Sequence, residues 1–458
     1  MSSPVRPAAV PGVPCFLADT WWFALTGRVT DDRFTQLARL RAEQGFTAVQ
    51  LVVGIPPEVG PGNRDAWSPV GPAWFPDGRP NPGYLEHARS RIQYLNSLGI
   101  TAVVYGCWGH QLAWLGRDGA RAWWARVVAA LDDLDVVYCV SGETNLWIGT
   151  EDALLPDRTT GDLLATAARA RVPGRVQALL RRSRAQEVLR RSRAQEVLRR
   201  SRRGYVQVRH AAAVQARRDG WDEVLRALAA ATDRSLLAHV VPGETSADAL
   251  AAHDLLAAVT VQTGHDQASR PLLWEWPARC AARFPGRPFV NLEPWYEGIR
   301  DDFATADQLF AYWVSMLSGA AAYCYGAHGM WNAGDGAFLA HWGKQSLDTA
   351  AALPTPALLG ASHRVFLDAG GPDPDGVTTV DVVAGTLRSI TRTRADGTRL
   401  TFLPDAARVP AAAQAPPARD DGQADGRRRY FAPATGTFLA SPLARGPLVV
   451  LTGLRVPR

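Results

Sequence analysis

The chain predicts a (β/α)8 TIM barrel followed by a small antiparallel β-sandwich domain. Three observations carry this. Short apolar runs alternate with longer helix-like stretches over about 340 residues. Those runs are apolar at nearly every position, as parallel strands covered on both faces must be. Beyond about Leu353, Pro and Gly become frequent and short alternating segments take over, the texture of an antiparallel β domain.

Taken in order, the predicted strands are 15–19, 48–53, 101–106, 136–142, 236–241, 257–264, 288–293 and 321–326. Helix-like runs lie between them at 30–45, 83–98, 119–133, 219–231, 269–283 and 304–318. The first opens on Thr30 and closes on Gly45, a cap and a stop suited to a helix between parallel strands. The expected division is a barrel over 1–352, with an Arg-rich insertion at about 171–204, and a C-terminal domain over 353–458. Within the latter, 410–426 reads as a loop.

Composition narrows the class. The 458 residues are 47% apolar and 21% charged, enough for a large core. No run of about 18 apolar residues marks a membrane span, and residues 1–16 lack the pattern of a secretory signal. Cys15, Cys107, Cys139, Cys280 and Cys324 contain no CxxC pair and mostly sit in apolar runs, so reduced cysteines and a cytoplasmic location are expected. The net charge of +6 is local: residues 171–218 hold 15 Arg against Glu187 and Glu196, which leaves the rest of the chain at −7. Within this segment "RRSRAQEVL" occurs twice, at 181–189 and 190–198. Nine residues make two and a half helical turns, so the copies face opposite sides. Aromatics are absent from 171–204, so no base-stacking platform is interleaved, and a nucleic-acid partner is not expected.

A barrel of this kind places its chemistry at the C-terminal strand ends. Strand one ends in Asp19, Thr20, Trp21 and Trp22; strand three in Trp108 and His110; strand four in Glu143 and Asn145. Strand five ends near His239, and strand six in Gln262 and His265. Strand seven runs into Glu293, Trp295, Tyr296 and Glu297, and strand eight into Tyr325, His328 and Trp331. Aromatic faces beside hydroxyl-reading polar groups suit a carbohydrate. Glu143 and Glu293 close strands that lie nearly opposite across the mouth. Glycoside cleavage needs two such carboxylates, one protonated for the leaving group and one ionised. The other polar and aromatic residues named are candidate substrate contacts, with Glu297 either a supporting partner or a helix-start carboxylate.

These motifs resemble the apiosidase-like glycoside hydrolases. The resemblance spans most of the chain and rests on "FLADTWWFALTGRVTDDRF", "GFTAVQLVV", "VSGETN", "NLEPWYEG" and "YWVSMLSGAAAYCYGAHGMWN". It implies a TIM barrel followed by a β-sandwich and removal of sugars such as furanosidic apiose from plant glycans. It also implies Glu143 as acid/base and Glu293 as nucleophile of a retaining reaction, with their carboxyl groups about 5–5.5 Å apart. The family pattern on strand four is Gly-Gly-Asp, where this chain has Ser141-Gly142-Glu143. An oligosaccharide or glycoside substrate is therefore expected, with no cofactor and no metal. The absence of HExxH and of a strand-one HxH argues against a metal-dependent hydrolase. A non-catalytic carbohydrate-binding protein on a degenerate barrel is the alternative; it has no need to keep both carboxylates. Oligomeric state has no signal in the sequence.

Overall fold

The computed structural model describes residues 15–146, 214–408 and 428–453. The Arg-rich insertion with its tandem repeat and the 410–426 segment lie outside these.

Strands β1 (Leu17–Thr20), β2 (Ala48–Val52), β3 (Thr101–Tyr105), β4 (Val136–Cys139), β5 (Leu236–Leu237), β6 (Val259–Gln262) and β7 (Phe289–Glu293) are joined by a two-residue β8 (Tyr296–Glu297) and by β9 (Ala322–Ala327). The parallel path runs β5-β4-β3-β2-β1-β9-β7-β6. Between its two ends the Ala257 N–H donates to the Leu236 carbonyl at 2.8 Å, and the Thr260 hydroxyl donates to the Ala238 carbonyl. The sheet is thereby an almost closed barrel. Every residue of β1, β2, β3, β4, β6, β7 and β9 is buried, which explains the unbroken apolar runs.

The fifth strand is much shorter than the predicted 236–241. Past Leu237 its backbone follows the turn at the end of β4: His239 N–H donates to the Ser141 carbonyl at 3.1 Å, and Thr144 N–H donates to the His239 carbonyl at 2.8 Å. Regular pairing gives way to a shared bend at the rim.

Helix Asp31–Glu43 begins where Thr30 accepts the Arg33 N–H and ends before Gly45, at φ 87°. Helices Pro82–Ser97, Leu112–Leu131, 214–229, Leu272–Arg283 and Thr305–Leu317 complete most of the outer layer. Leu112–Leu131 starts earlier than predicted and kinks at Gly116, whose φ of 67° breaks the helix. A helix at Thr355–Asp368, with Pro356 in its first turn, was absent from the predicted elements; its fitness for that position lies in proline's preset φ.

The C-terminal sheet holds β10 (Val377–Val383), β11 (Thr386–Thr393), β12 (Arg399–Leu403), β13 (Arg429–Ala432), β14 (Thr437–Leu439) and β15 (Leu448–Thr452), all paired antiparallel in the order β10-β11-β12-β15-β13-β14. Its inner face shares one apolar core with the barrel. Phe402 packs 6.2 Å from Phe310 and 6.4 Å from Trp313, ring centroid to ring centroid, and Phe431 lies 6.1 Å from Trp313. Helix Thr305–Leu317 is therefore covered on both sides, and its ten residues from Gln308 to Leu317 are all buried. Among the described residues no helix is long and apolar enough to cross a membrane.

Candidate active site

The end of β4 shows why an apolar strand finishes in a glycine and a carboxylate. The Trp108 indole lies flat against the chain at Gly142, where a Cβ would come within 2.2 Å of the ring, so only glycine fits. Backbone bonds lock the approach: Gly142 N–H donates to the Cys107 carbonyl at 3.0 Å and Gly109 N–H to the Gly142 carbonyl at 2.6 Å. The next residue, Glu143, takes a left-handed backbone, φ 44°. Such a conformation costs about 1–3 kcal/mol and persists only where its surroundings hold it. Here the Glu143 N–H donates to His239 Nδ1 at 3.0 Å, and Trp108 Nε1–H donates to Glu143 Oε2 at 3.0 Å.

Glu293, the last residue of β7, is buried. His265 Nε2 lies 2.8 Å from its Oε1 and His239 Nε2 lies 3.1 Å from its Oε2. The tautomers follow from the far side of each ring. His239 Nδ1 accepts the Glu143 N–H, and His265 Nδ1 accepts the Tyr296 N–H at 3.3 Å. Each Nδ1 is thus an acceptor, so the proton of each ring is on Nε2, the nitrogen that faces Glu293.

The two carboxyl groups are pushed apart in acidity. Burial, then the charge of Glu293, raises Glu143 to about 7; the Trp108 hydrogen bond and His239 only partly oppose this. Burial pushes Glu293 up as well, but the donors on His239 and His265 outweigh it and hold the group at about 2. Near neutral pH one group holds a proton for much of the time and the other is ionised.

Both face one cavity of about 570 Å3, lined also by Trp22, Trp108, Gln262, His265, Tyr296 and Trp331. Trp22 Nε1–H donates to the Tyr296 hydroxyl at 3.1 Å and its ring meets Trp108 edge-on at 5.3 Å, so the aromatic wall is mutually braced. The Gln262 Oε1 and the Trp331 Nε1 are buried with no hydrogen-bond partner among the described residues, an acceptor and a donor for a ligand.

A family model for apiosidase-like catalytic domains matches residues 11–352. The chain belongs to this family. A search of curated protein sequences finds no match. A solved structure described as a glycoside hydrolase aligns over 96% of this chain and 93% of its own, with a TM-score of 0.67 and 13% identity. A family 5 glycoside hydrolase from Bacteroides vulgatus aligns over 96% and 89%, with a TM-score of 0.65 and 15% identity. At such identities the likeness is one of fold.

Several residues of this apiosidase-like glycoside hydrolase that the strand-end reading singled out lie away from the cavity. Asp19 is fully buried in an ion pair with Arg41, Oδ2 to Nε 2.6 Å, and also accepts Trp21 Nε1–H at 2.7 Å. Trp21 packs edge-on against Phe34 in the helical layer. His110 packs on Trp114, its ring held down at about 4 by burial. Asn145 ties two rim loops together, donating to Glu244 at 2.9 Å and accepting the Val241 N–H at 2.7 Å. Trp295 stacks on Phe303 at 4.8 Å and donates to the Ser269 hydroxyl at 2.7 Å. Glu297 accepts from Tyr325 (2.6 Å), Thr355 (2.7 Å) and Thr305 (3.1 Å), where Thr305 and Thr355 are the first residues of two helices. It is a buried carboxylate at two helix starts, and Tyr325 is one of its donors. His328 is buried beside Trp331 and behind the lining. His239 also stands behind the cavity wall, where it supports both carboxyl groups.

The apiosidase-like cavity has lining that the strand-end reading did not reach. Glu58 comes from the loop after β2, Ile299 and Arg300 from that after β8, and Trp342 from that after β9. The Arg300 guanidinium lies 4.6 Å over the Trp342 ring. The available signal was the length of the loops at 53–81 and 328–346, since long loops on this face carry function. Among the described residues no cluster of three His, Cys, Asp or Glu is placed to hold a metal. The five cysteines are free, four of them buried.

Proposed function

We propose that the chain is a retaining glycoside hydrolase in which Glu293 is the nucleophile and Glu143 the acid/base, acting on a glycoside that includes furanosides among its sugars. The observation that carries this is the opposed protonation of two carboxyl groups facing one cavity, about 7 for Glu143 and about 2 for Glu293. Glu293 attacks the anomeric carbon as a carboxylate, while Glu143 gives its proton to the departing oxygen. The glycosyl–Glu293 ester carries no charge. With that charge gone, one of the forces that raises Glu143 disappears. Glu143, now a carboxylate, then takes a proton from the water that cleaves the ester. Trp22, Trp108, Tyr296 and Trp331 offer faces for the sugar ring, and Gln262 reads a hydroxyl.

The test is a panel of aryl glycosides, furanosides included, with proton NMR of the first product. Glu293→Gln abolishes turnover of any aryl glycoside the parent cleaves. Glu143→Ala keeps activity on activated leaving groups and gains rate with azide, forming a glycosyl azide of retained configuration. Wild-type rates from both variants would sink the assignment, and an inverted first product would sink the retaining mechanism.

A further inference from the structure

We propose that the C-terminal sheet supplies a second sugar-binding cavity, adjoining the catalytic one at Ala268, which holds a neutral glycosyl unit of the same substrate outside the bond that is cut. This rests on the glycosidase reading above.

The cavity, about 570 Å3, opens between barrel and sheet. Gln267, Arg270 and Trp274 line it from the barrel, and Arg388, Phe402 and Asp405 from the sheet. Ala268 lines both this cavity and the catalytic one, and it is exposed. At this point the residue common to both linings carries only a methyl group. Each cavity falls in the range of about 300–1,000 Å3 typical of small-molecule sites.

The lining is organised in advance. The Arg270 guanidinium lies 4.8 Å from the Trp295 ring centroid and 4.6 Å from that of Phe310. It also donates to Asp307 at 2.7 Å and to Gln267 at 3.1 Å. A group so held loses little freedom when a ligand arrives. The cations Arg270 and Arg388 are matched by Asp307 and Asp405, all four on the lining. A balanced set of donors and acceptors suits a hydroxyl-rich, uncharged ligand. Trp274 is half-buried and adds an aromatic surface for sugar C–H groups.

The test uses the full chain, an aryl glycoside that it cleaves, and tri- and tetrasaccharides bearing the same sugar. Trp274→Ala and Arg388→Ala each lower kcat/KM on the oligosaccharides about tenfold, the usual scale for one lost pocket contact, and leave the aryl glycoside within about twofold. Arg388 is a half-buried residue of the sheet, so Arg388→Ala keeps the test alive should Trp274→Ala fail to fold. Equal losses on both substrate types, or none on the oligosaccharides, would overturn the second cavity. A parent chain that cleaves nothing on the panel would instead overturn the glycosidase reading, and the second cavity with it.

Discussion

The Nε2 of His239 lies 3.1 Å from Oε2 of Glu293, while its Nδ1 accepts the backbone N–H of Glu143 at 3.0 Å. One imidazole thus sets the backbone of one carboxylate and the ionisation of the other. His239→Ala removes a ring that holds Glu293 down, so the acidic limb of kcat/KM moves upward. His265→Ala moves the same limb through its hydrogen bond to Oε1 but leaves Glu143 in place. The loss of one hydrogen bond to a charged group is worth about 1.5–3 kcal/mol, equivalent to about one to two pH units. A pH–rate series on the two variants separates these effects, because only His239→Ala also disturbs the alkaline limb.

The parent pH profile has a defined sign. Activity needs Glu143 protonated and Glu293 ionised. It therefore falls as pH rises through about 7, and Glu293 imposes no loss on the acid side until pH approaches about 2. An alkaline limb that Glu143→Gln leaves unchanged, measured with an activated aryl glycoside, would assign that limb to another group.

Stability carries the same signature without any substrate. Glu143 has its folded pKa raised from 4.5 to about 7, so its contribution is full below about pH 4.5 and is lost as pH rises through about 7. Glu143→Gln removes an ionisation that the fold disfavours while keeping an oxygen for Trp108. The variant melts higher than the parent at pH 8, and the gap closes toward pH 4.5, as thermal melts across that range will show.

Gly142 tests the fit against Trp108. Gly142→Ala puts a methyl group where 2.2 Å separates it from the indole, so the ring or the strand must shift. Overpacking of this kind costs about 1–3 kcal/mol. The expected result is a lower Tm together with loss of activity, because the indole that moves is the donor to Glu143.

Asp19 distinguishes a structural carboxylate from a substrate contact. Asp19→Asn leaves Arg41 charged and unmatched in a fully buried site, at a cost of about 3–5 kcal/mol. Tm falls sharply, while KM for an aryl glycoside, measured at a temperature where the variant stays folded, is unchanged.

How legible the site was depends on the path of the rim. Trp21 follows β1 and Trp22 opens the turn beyond it, while Trp295 follows β7 and Tyr296 starts β8, so which aromatic of each pair points inward is set by the turn and not by any spacing in the sequence. Composition says that each pair is aromatic and stands at a rim; it does not say which member turns inward. The structure turns Trp22 and Tyr296 in, and packs Trp21 on Phe34 and Trp295 on Phe303. Glu297 was ambiguous for a related reason: its three hydroxyl donors come from Thr305, Tyr325 and Thr355, up to 58 residues away, where no local pattern could reveal them.

The alternation of strands and helices through the barrel, and the presence of a carboxylate at the ends of the fourth and seventh strands, were determined by the sequence alone. Apolar periodicity, caps and glycine stops are local properties of the chain. What only the tertiary structure decided is which carboxyl group holds the proton. That difference arises from burial, from the charge of one acid on the other and from two histidines on β5 and β6 loops, all brought together by barrel closure. Electrostatic energy depends on distance and surroundings in space, and neither is written in sequence spacing.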